Sequence, residues 1–301
     1  MTPLRKRRAF LHSVNDSELS LALESSKSGA FMAGIIRILN GIIKYRGTVR
    51  KDLVKQFERV RDNPTPTAVF FTCMDSRMLP TRFTQAQVGD MFVLQNSGNI
   101  IPHAKMLSII LLQLAFSGGY GYEVSVTTES AALEMAVKRV GIKHVIVCGH
   151  SDCKAMNTLY NLHKCPDTFR VDSPMDLWLR RHGFASLQKL TERLQSLTTL
   201  SLKFIPENPD LAFEALIDTE NKFGVEDKLS QINTLQQLEN ITSHAVMKEF
   251  LSRRQVALHA MWFDIYTGNV FLFSRKKKRF VNIDVDSTEE LLAEVYKNFA
   301  D

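Results

Sequence analysis

Short apolar runs alternate along the chain with segments in which apolar residues recur at helical spacing. Three runs, at 68–72, 91–94 and 144–148, have the length and composition of buried strands. Before the third run, residues 129–140 show helical periodicity and end at a glycine, which predicts a helix that leads directly into a strand. Strands and helices in this order form a parallel sheet with helical cover. We therefore predict an α/β fold with a mainly parallel β-sheet covered by helices.

Other segments extend this pattern on both sides. Helical spacing predicts helices over 33–61, one long helix or two over 225–250, and a last helix over 287–299. Two further apolar runs, 257–263 and 270–273, flank a Tyr-Thr-Gly-Asn turn and predict a β-hairpin.

Three regions have a weaker pattern. Residues 1–31 begin with a basic cluster, and we interpret them as an N-terminal extension that is either a targeting peptide or a disordered segment. Residues 32–301 then form a single domain. The stretch 107–127 is apolar and then glycine-rich, which fits a helix with a loop or a pair of strands equally well. Residues 164–223 read as helices with charged faces that are broken at prolines.

Composition limits the class of protein. Of 301 residues, 45% are apolar and 23% are charged, which is typical of a globular protein with a sizeable core. The longest strongly apolar run, 106–116, is too short to span a membrane. The net charge of +6 comes partly from basic clusters at 5–8 and 275–279. We interpret these clusters as a solvated tail and a solvated turn, so no nucleic-acid partner is expected.

The cysteine content points to a reducing compartment. Four cysteines, Cys73, Cys148, Cys153 and Cys165, are too few for a disulfide framework in a chain of this length. We therefore expect an intracellular protein, mitochondrial or cytosolic. Cys148 lies within an apolar run and is predicted to be a buried strand thiol, and Cys165 precedes a proline in a predicted loop.

Two short motifs follow predicted strands and carry metal-ligand residues. Cys73 follows the first apolar run, and His150 and Cys153 follow the third. Ligand sites in open α/β sheets form at the ends of strands, and two residues three positions apart share a face of a helical turn. Two thiolates and a neutral imidazole make a catalytic type of zinc site, whose fourth position is left to water.

Asp75 and Arg77 accompany the first ligand. Alternate residues of an extended segment share a face, so Cys73, Asp75 and Arg77 are predicted to point the same way. Arg77 can hold Asp75 by a bidentate ionic hydrogen bond that keeps the carboxylate charged and oriented. Because two thiolates neutralise the zinc charge, the metal is a weak Lewis acid, and an acceptor such as Asp75 beside the open position assists it.

Other classes of zinc protein fit less well. A closed structural site needs a fourth protein ligand, for which Cys165 is the candidate. Alcohol dehydrogenases also use two cysteines and a histidine, but no glycine-rich dinucleotide motif follows a strand here. A zinc-stabilised binding module without catalysis stays as an alternative.

The motifs resemble those of the β-class carbonic anhydrases, and of their animal branch in particular. The resemblance covers about 32–273 and includes the segments 73–77, 88–93, 96–99 and 149–154. It also includes the Trp-Phe-Asp-Ile-Tyr-Thr-Gly segment that begins at Trp262. Both motifs agree with the family in order, spacing and local context, although Lys154 replaces a glycine that often follows the second cysteine.

This resemblance implies a β-carbonic anhydrase-like catalytic domain over residues 32–301 that hydrates carbon dioxide reversibly to bicarbonate and a proton. It implies one Zn²⁺ ion per subunit, bound by Cys73, His150 and Cys153. Asp75 and Arg77 are implied as the orienting pair. A homodimer or higher homo-oligomer is expected, with Phe92 lining a carbon dioxide pocket near the interface. The alternative is a catalytically impaired zinc-binding relative, disabled by the stretch 107–127, that acts as a binding or structural protein.

Overall fold

The computed structural model of the protein describes residues 27–104, 127–195 and 201–300. Two compact units divide the chain between Pro64 and Thr65. Of the predicted extension 1–31, residues 1–26 lie outside the described part. The stretch 107–127 also lies outside it, apart from Thr127.

The first unit contains two helices, which confirms the prediction over 33–61. Helix α1 spans Lys27–Gly47 and helix α2 spans Arg50–Val60. No residue of α2 is buried. Apolar side chains are exposed on α1, including those of Ile38 and Ile43. The apolar residues of this helix are therefore available to another surface.

The second unit has a six-stranded sheet and a separate two-stranded hairpin. Its strands are β1 Ala68–Cys73, β2 Met91–Asn96, β3 His144–His150, β4 Ser201–Phe204, β5 Phe213–Leu216, β6 Ala257–Phe263, β7 Val270–Ser274 and β8 Arg279–Asn282. The order in the main sheet is β2-β1-β3-β6-β7-β8. Strands β2, β1, β3 and β6 are parallel, and β7 and β8 are antiparallel additions at one edge. The predicted α/β class with a mainly parallel sheet is confirmed.

Helices of the second unit connect and cover these strands. They are α3 Pro80–Phe83, α4 Thr128–Leu133, α5 Lys154–Lys164, α6 Pro174–His182, α7 Phe184–Gln195, α8 Val225–Thr242, α9 Ala245–Ser252 and α10 Val285–Ala300. Helix α4 continues as a π-helix over Glu134–Val140, so the predicted helix over 129–140 is present but changes its winding. The long prediction over 225–250 corresponds to two helices, α8 and α9.

Three strands, β4, β5 and β8, were not predicted from the sequence. Residues 164–223 contain the predicted helices and also the β4–β5 hairpin, whose four-residue strands are too short to establish a period of two. Strand β8 begins at Arg279, within the basic segment predicted to be a solvated turn. The turn itself exists, but Arg275 at its start is half-buried, so the prediction of a fully solvated turn was wrong.

The core lies on both sides of the parallel strands. Strand β1 is buried along its whole length, and α8 packs against β3 and β6. Most of α8 is buried although it carries many polar residues, because those side chains bond to neighbouring loops. No helix in the described ranges is long and apolar enough to cross a membrane.

Candidate metal centre and active site

The carboxyl ends of β1 and β3 bring the three predicted ligands together. The two strands are parallel neighbours, β1 ends at Cys73 and β3 ends at His150. A two-residue turn then leads to Cys153, which precedes the first residue of α5. The ligand atoms of the three residues lie within 4.8 Å of one another, and all three residues are buried. The two Sγ atoms are 3.8 Å apart.

One nitrogen of His150 is directed towards this cluster. Its Nδ1 lies 2.8 Å from the main-chain oxygen of Ser151, so Nδ1 carries the proton and donates it there. Nε2 is buried and has no hydrogen-bond partner in the described part of the chain. A buried lone pair without a donor is costly unless a metal ion uses it, so the imidazole fits a metal ligand.

The two thiols have the electrostatic surroundings of metal ligands. A hydrogen bond from the Cys153 thiol lowers the pKa of Cys73 to about 4. The pKa of Cys153 rises in turn, because it retains the shared proton beside the Cys73 thiolate. Amides of Ala155 and Met156, in the first turn of α5, favour a thiolate at Cys153. This donor set suits zinc.

The remaining cysteines do not complete a closed site. Cys148 lies buried within β3, and burial raises the pKa of its thiol. Cys165 follows α5, is exposed and lies outside the ligand cluster. The described residues thus offer three ligands, as a catalytic rather than a structural zinc site requires.

Asp75 and Arg77 form the predicted pair. Arg77 Nε donates to Asp75 Oδ1 at 2.8 Å, and Nη2 donates to Oδ2 at 2.7 Å. The Arg77 amide donates to Oδ1 as well, at 3.0 Å. These bonds hold the pKa of Asp75 well below its usual range. Asp75 is therefore an ionised acceptor with both oxygens fixed in direction.

Asp152 connects this pair to the turn between the candidate ligands His150 and Cys153. Arg77 Nη1 donates to Asp152 Oδ2 at 2.8 Å, and Nη2 donates to the Asp152 main-chain oxygen at 3.0 Å. Lys154 Nζ donates to both Asp152 carboxylate oxygens, at 2.8 and 3.1 Å. Lys154 and Arg77 lower the pKa of Asp152 to about 2. Lys154, which replaces the glycine of the family pattern, thus fixes the carboxylate of Asp152, and Asp152 in turn fixes Arg77.

A cavity of about 390 Å³ opens beside the cluster. Its wall combines the Asp75–Arg77 pair with apolar side chains of Met74, Ala155 and Met175. Phe92 lies on β2, is exposed and is not among the residues that line this cavity. A pocket role for Phe92 stays a prediction.

Helix α8 supports the turn that carries the candidate ligands His150 and Cys153, and these contacts were not predicted from the sequence. Ser230 Oγ donates to the His150 main-chain oxygen at 2.7 Å, and Trp262 Nε1 donates to Ser230 Oγ at 3.1 Å. Asp227 accepts a hydrogen bond from the Asp152 amide at 2.7 Å. The available signal was the recurrence of small polar residues four positions apart, as at Ser230 and Thr234, which places both hydroxyls on one face of the predicted helix.

Comparison with known proteins agrees with this geometry. The family profile described as carbonic anhydrase matches residues 68–270. The β carbonic anhydrase 1 of Caenorhabditis elegans is 59% identical over 260 residues, which cover 86% of this chain and 92% of that protein. The β carbonic anhydrase 1 of Caenorhabditis briggsae is 56% identical with the same coverage.

Solved structures share the fold. The β-carbonic anhydrase CcaA matches with a TM-score of 0.62 and 26% identity, over 84% of this chain and 93% of that one. A chain from the two tetrameric β-carbonic anhydrases of Sordaria macrospora matches with a TM-score of 0.56 and 18% identity, over 80% of this chain and 98% of that one.

This chain belongs to the carbonic anhydrase family, in its β class. It is accordingly an enzyme, a lyase that catalyses the reversible hydration of carbon dioxide to bicarbonate and a proton.

Proposed function

We propose that the resident metal is zinc, with one ion per subunit. Cys73, His150 and Cys153 are its ligands in this proposal. The supporting observation is the buried, unpartnered Nε2 of His150 beside two thiols that are 3.8 Å apart. A zinc ion there supplies a Lewis acid that lowers the pKa of a water molecule and so creates the nucleophile for carbon dioxide.

We further propose that Asp75 and Arg77 orient the reacting groups. Arg77 occupies both oxygens of Asp75, so the carboxylate keeps its charge and accepts a hydrogen bond along a fixed direction. It carries no proton at neutral pH and therefore acts as an acceptor, not as a general acid. Apolar Met74 and Met175 give carbon dioxide a surface to lie against, and Ser76 and Arg77 offer donors to bicarbonate.

The working state is proposed to be a homodimer or higher homo-oligomer. Helix α1 exposes a row of apolar side chains, and a contiguous exposed apolar patch of this kind often marks a protein–protein interface. The row consists of Ile35, Ile38, Leu39, Ile42 and Ile43. Strand β2 is an edge of the main sheet, and its Phe92 and Val93 are exposed too. A second copy that covers β2 would also bring Phe92 into an interface, as the family resemblance implies.

We propose that residues 32–301 act as one catalytic domain and that residues 1–31 are a separate extension. An intracellular location, mitochondrial or cytosolic, fits the four free thiols of the described residues.

The test is stopped-flow carbon dioxide hydration by the full-length, zinc-loaded protein, with zinc counted by elemental analysis. Cys73→Ser should lose both zinc and hydration, because serine is not a thiolate ligand. Cys165→Ser changes an exposed thiol outside the cluster and should retain both. Loss of hydration in Cys73→Ser with one zinc still bound per chain would contradict the ligand set. Full zinc binding without hydration in the unmodified protein would favour the impaired relative.

A further inference from the structure

A second cavity, of about 340 Å³, lies at the opposite end of the parallel strands from the metal centre. Residues at the start of β6 line this cavity. In the sheet, the start of β6 pairs with His144 at the start of β3. The proposed ligand His150 lies at the other end of β3. Helices α8, α9 and α10 supply other parts of the wall. The cavity is thus separate from the site of carbon dioxide hydration.

The wall has an apolar side. Leu238 and Leu251 are buried core residues of α8 and α9, and Leu258 and Val295 add half-buried side chains from β6 and α10. These four side chains bound a space large enough for a short hydrocarbon or aryl chain. An apolar space of this kind favours a ligand that brings apolar atoms into it.

Arg275 provides a cation on the other side. In the described part of the chain its guanidinium donates one hydrogen bond, from Nη1 to the Leu211 oxygen at 3.3 Å. The guanidinium carbon also lies over the ring of Phe213, 4.7 Å from the ring centroid. No carboxylate of the described residues forms an ion pair with the guanidinium. A guanidinium has five N–H donors, so most of them have no acceptor among the described residues. A half-buried cation in this state is costly unless an anion joins it.

Two acidic residues, Asp210 and Glu294, belong to the wall, and neither forms an ion pair with the guanidinium among the described residues. Glu294 accepts hydrogen bonds from Ser274 Oγ at 2.6 Å, from the Arg275 amide at 2.7 Å and from the Lys276 amide at 3.2 Å. Its carboxylate is therefore committed to the turn that follows β7 and holds the main chain of Arg275 in place. Burial lowers the pKa of Arg275 and the nearby charge of Glu294 opposes this, but Glu294 forms no ion pair with the guanidinium among the described contacts.

His259 lies in the same wall and does not compete as a charged group. Its Nε2 is 3.1 Å from Nδ1 of His144, and burial lowers the pKa of His259 to about 4. At neutral pH the imidazole is uncharged. Arg254 and Lys297 also belong to the wall, but both are exposed, so Arg275 is the half-buried cation beside the apolar side chains.

We propose that this cavity binds a small organic monocarboxylate with a short apolar chain. The carboxylate lies against the Arg275 guanidinium in the bidentate manner that its planar fork favours, and the chain lies among Leu238, Leu251 and Leu258. Recognition requires two features of the ligand at once, one negative charge and an apolar chain of roughly four to six carbon atoms. This site is independent of the metal centre and of the proposed roles there.

Calorimetric titration of the full-length, zinc-loaded protein tests the proposal with three probes. Hexanoate carries both features, acetate carries the charge alone, and 1-hexanol carries the chain alone. We expect a Kd for hexanoate on the order of 0.1–1 mM, as small ligands of this size reach. Acetate and 1-hexanol should each bind at least about tenfold more weakly, since each lacks one recognised feature.

Three variants locate the binding. Arg275→Gln should weaken hexanoate binding about tenfold or more, whereas Arg279→Gln removes a charge from the exposed start of β8 and should leave it unchanged. Val295→Trp fills the cavity while Arg275 is retained, so it should abolish hexanoate binding. If Arg275→Gln fails to fold, this variant alone tests whether hexanoate binds in the cavity. Unchanged hexanoate affinity in Val295→Trp would overturn the proposal, because the ligand would then bind elsewhere, for example at the metal. Equal affinities for hexanoate and 1-hexanol, or no binding at millimolar hexanoate, would overturn it too.

Discussion

Arg77 donates a hydrogen bond from Nη1 to Oδ2 of Asp152 at 2.8 Å. Asp152 lies in the turn between the proposed ligands His150 and Cys153, and Arg77 also holds Asp75. The proposed acceptor of the active site is thereby attached to the ligand turn by side chains. Asp152 adopts φ +49°, a left-handed conformation that aspartate tolerates better than most residues.

Removal of the Asp152 carboxylate should loosen Arg77 without displacing zinc. We expect Asp152→Ala to keep one zinc ion per chain and to lower kcat/KM for carbon dioxide about five- to tenfold. The physical reason is the loss of one partly exposed ion pair, worth about 1 kcal/mol, which converts to a change of this size. Stopped-flow hydration and elemental analysis measure both quantities.

The matched control for Asp152 is Asp167→Ala, which removes an exposed carboxylate beyond α5. It should change neither zinc content nor rate. An unchanged rate in Asp152→Ala would show that Arg77 is positioned adequately by Asp75 and the Asp152 main chain alone.

Asp75 should matter more to the rate than Asp152. We expect Asp75→Ala to retain zinc, because the carboxylate is not part of the ligand cluster, and to lower kcat for hydration by about a hundredfold or more. Arg77→Gln should show a smaller loss, because Asp75 remains but is no longer held by two bonds. An Asp75→Ala protein with full activity would contradict the role assigned to this carboxylate.

The sequence was sufficient to predict that the three proposed metal ligands lie together, because the signal is local to two strand ends. Cys73 directly ends a strand and His150 and Cys153 are three residues apart, so spacing and strand topology were enough to bring them together. Support from α8 was not predictable in this way. Ser230 reaches His150 across 80 residues, and a serine in a predicted helix looks like a solvent-facing residue until the fold buries it.

Strands at the edges were harder to predict than central ones. Strand β1 is buried on both faces and therefore reads as a continuous apolar run, whereas β8 consists of Arg279-Phe-Val-Asn and follows a basic turn. The hydrophobic pattern of β8 is set by its pairing with β7, which a local window does not contain. The burial of Arg275 has the same origin, since Phe213 comes from a hairpin that was not predicted.

Gly149 is required by the close approach of α8 to the end of β3. A Cβ at this position would lie 2.1 Å from Thr234 Oγ1 and 3.3 Å from the Ser230 main-chain oxygen. We expect Gly149→Ala to lower the free energy of unfolding by about 2–4 kcal/mol, because a rigid core contact must give way. It should also weaken zinc binding, since the neighbouring His150 moves with the strand. Denaturant unfolding and a competitive chelator titration measure the two effects.

A double variant separates this clash from general damage. Thr234→Ala removes the closest atom, so Gly149→Ala with Thr234→Ala should recover more than half of the lost stability. Gly34→Ala in α1 is the control, because nothing lies within 4 Å of its added Cβ. The control should be neutral or slightly stabilising. Strict additivity of the two changes would contradict the proposed clash.

His182 at the end of α6 is a neutral histidine inside the second unit. Its ring lies edge-on to Trp178 with centroids 4.6 Å apart, and its buried Nδ1 has no hydrogen-bond partner in the described ranges. Burial, assisted by the charge of Arg181, lowers the pKa of His182 to about 4. An unfolded histidine has a pKa near 6.5, so between these values the unfolded chain binds the additional proton.

The stability contributed by this neutral His182 is therefore complete above about pH 6.5 and is lost as the pH falls towards 4. A phenylalanine at this position cannot be protonated. Between pH 7 and pH 5 we therefore expect the free energy of unfolding of His182→Phe to fall by about 1 kcal/mol less than that of the unmodified protein, after allowance for the partial exposure of His182. Urea unfolding at the two pH values, with the same zinc buffer in each, gives this difference and cancels contributions from other histidines. His163→Phe alters an exposed histidine on α5 and should leave the pH dependence as it is. If the free energy of unfolding fell equally between pH 7 and pH 5 in His182→Phe and in the unmodified protein, His182 would have the same pKa in the folded and unfolded chains. That result would contradict the effect of burial on its pKa.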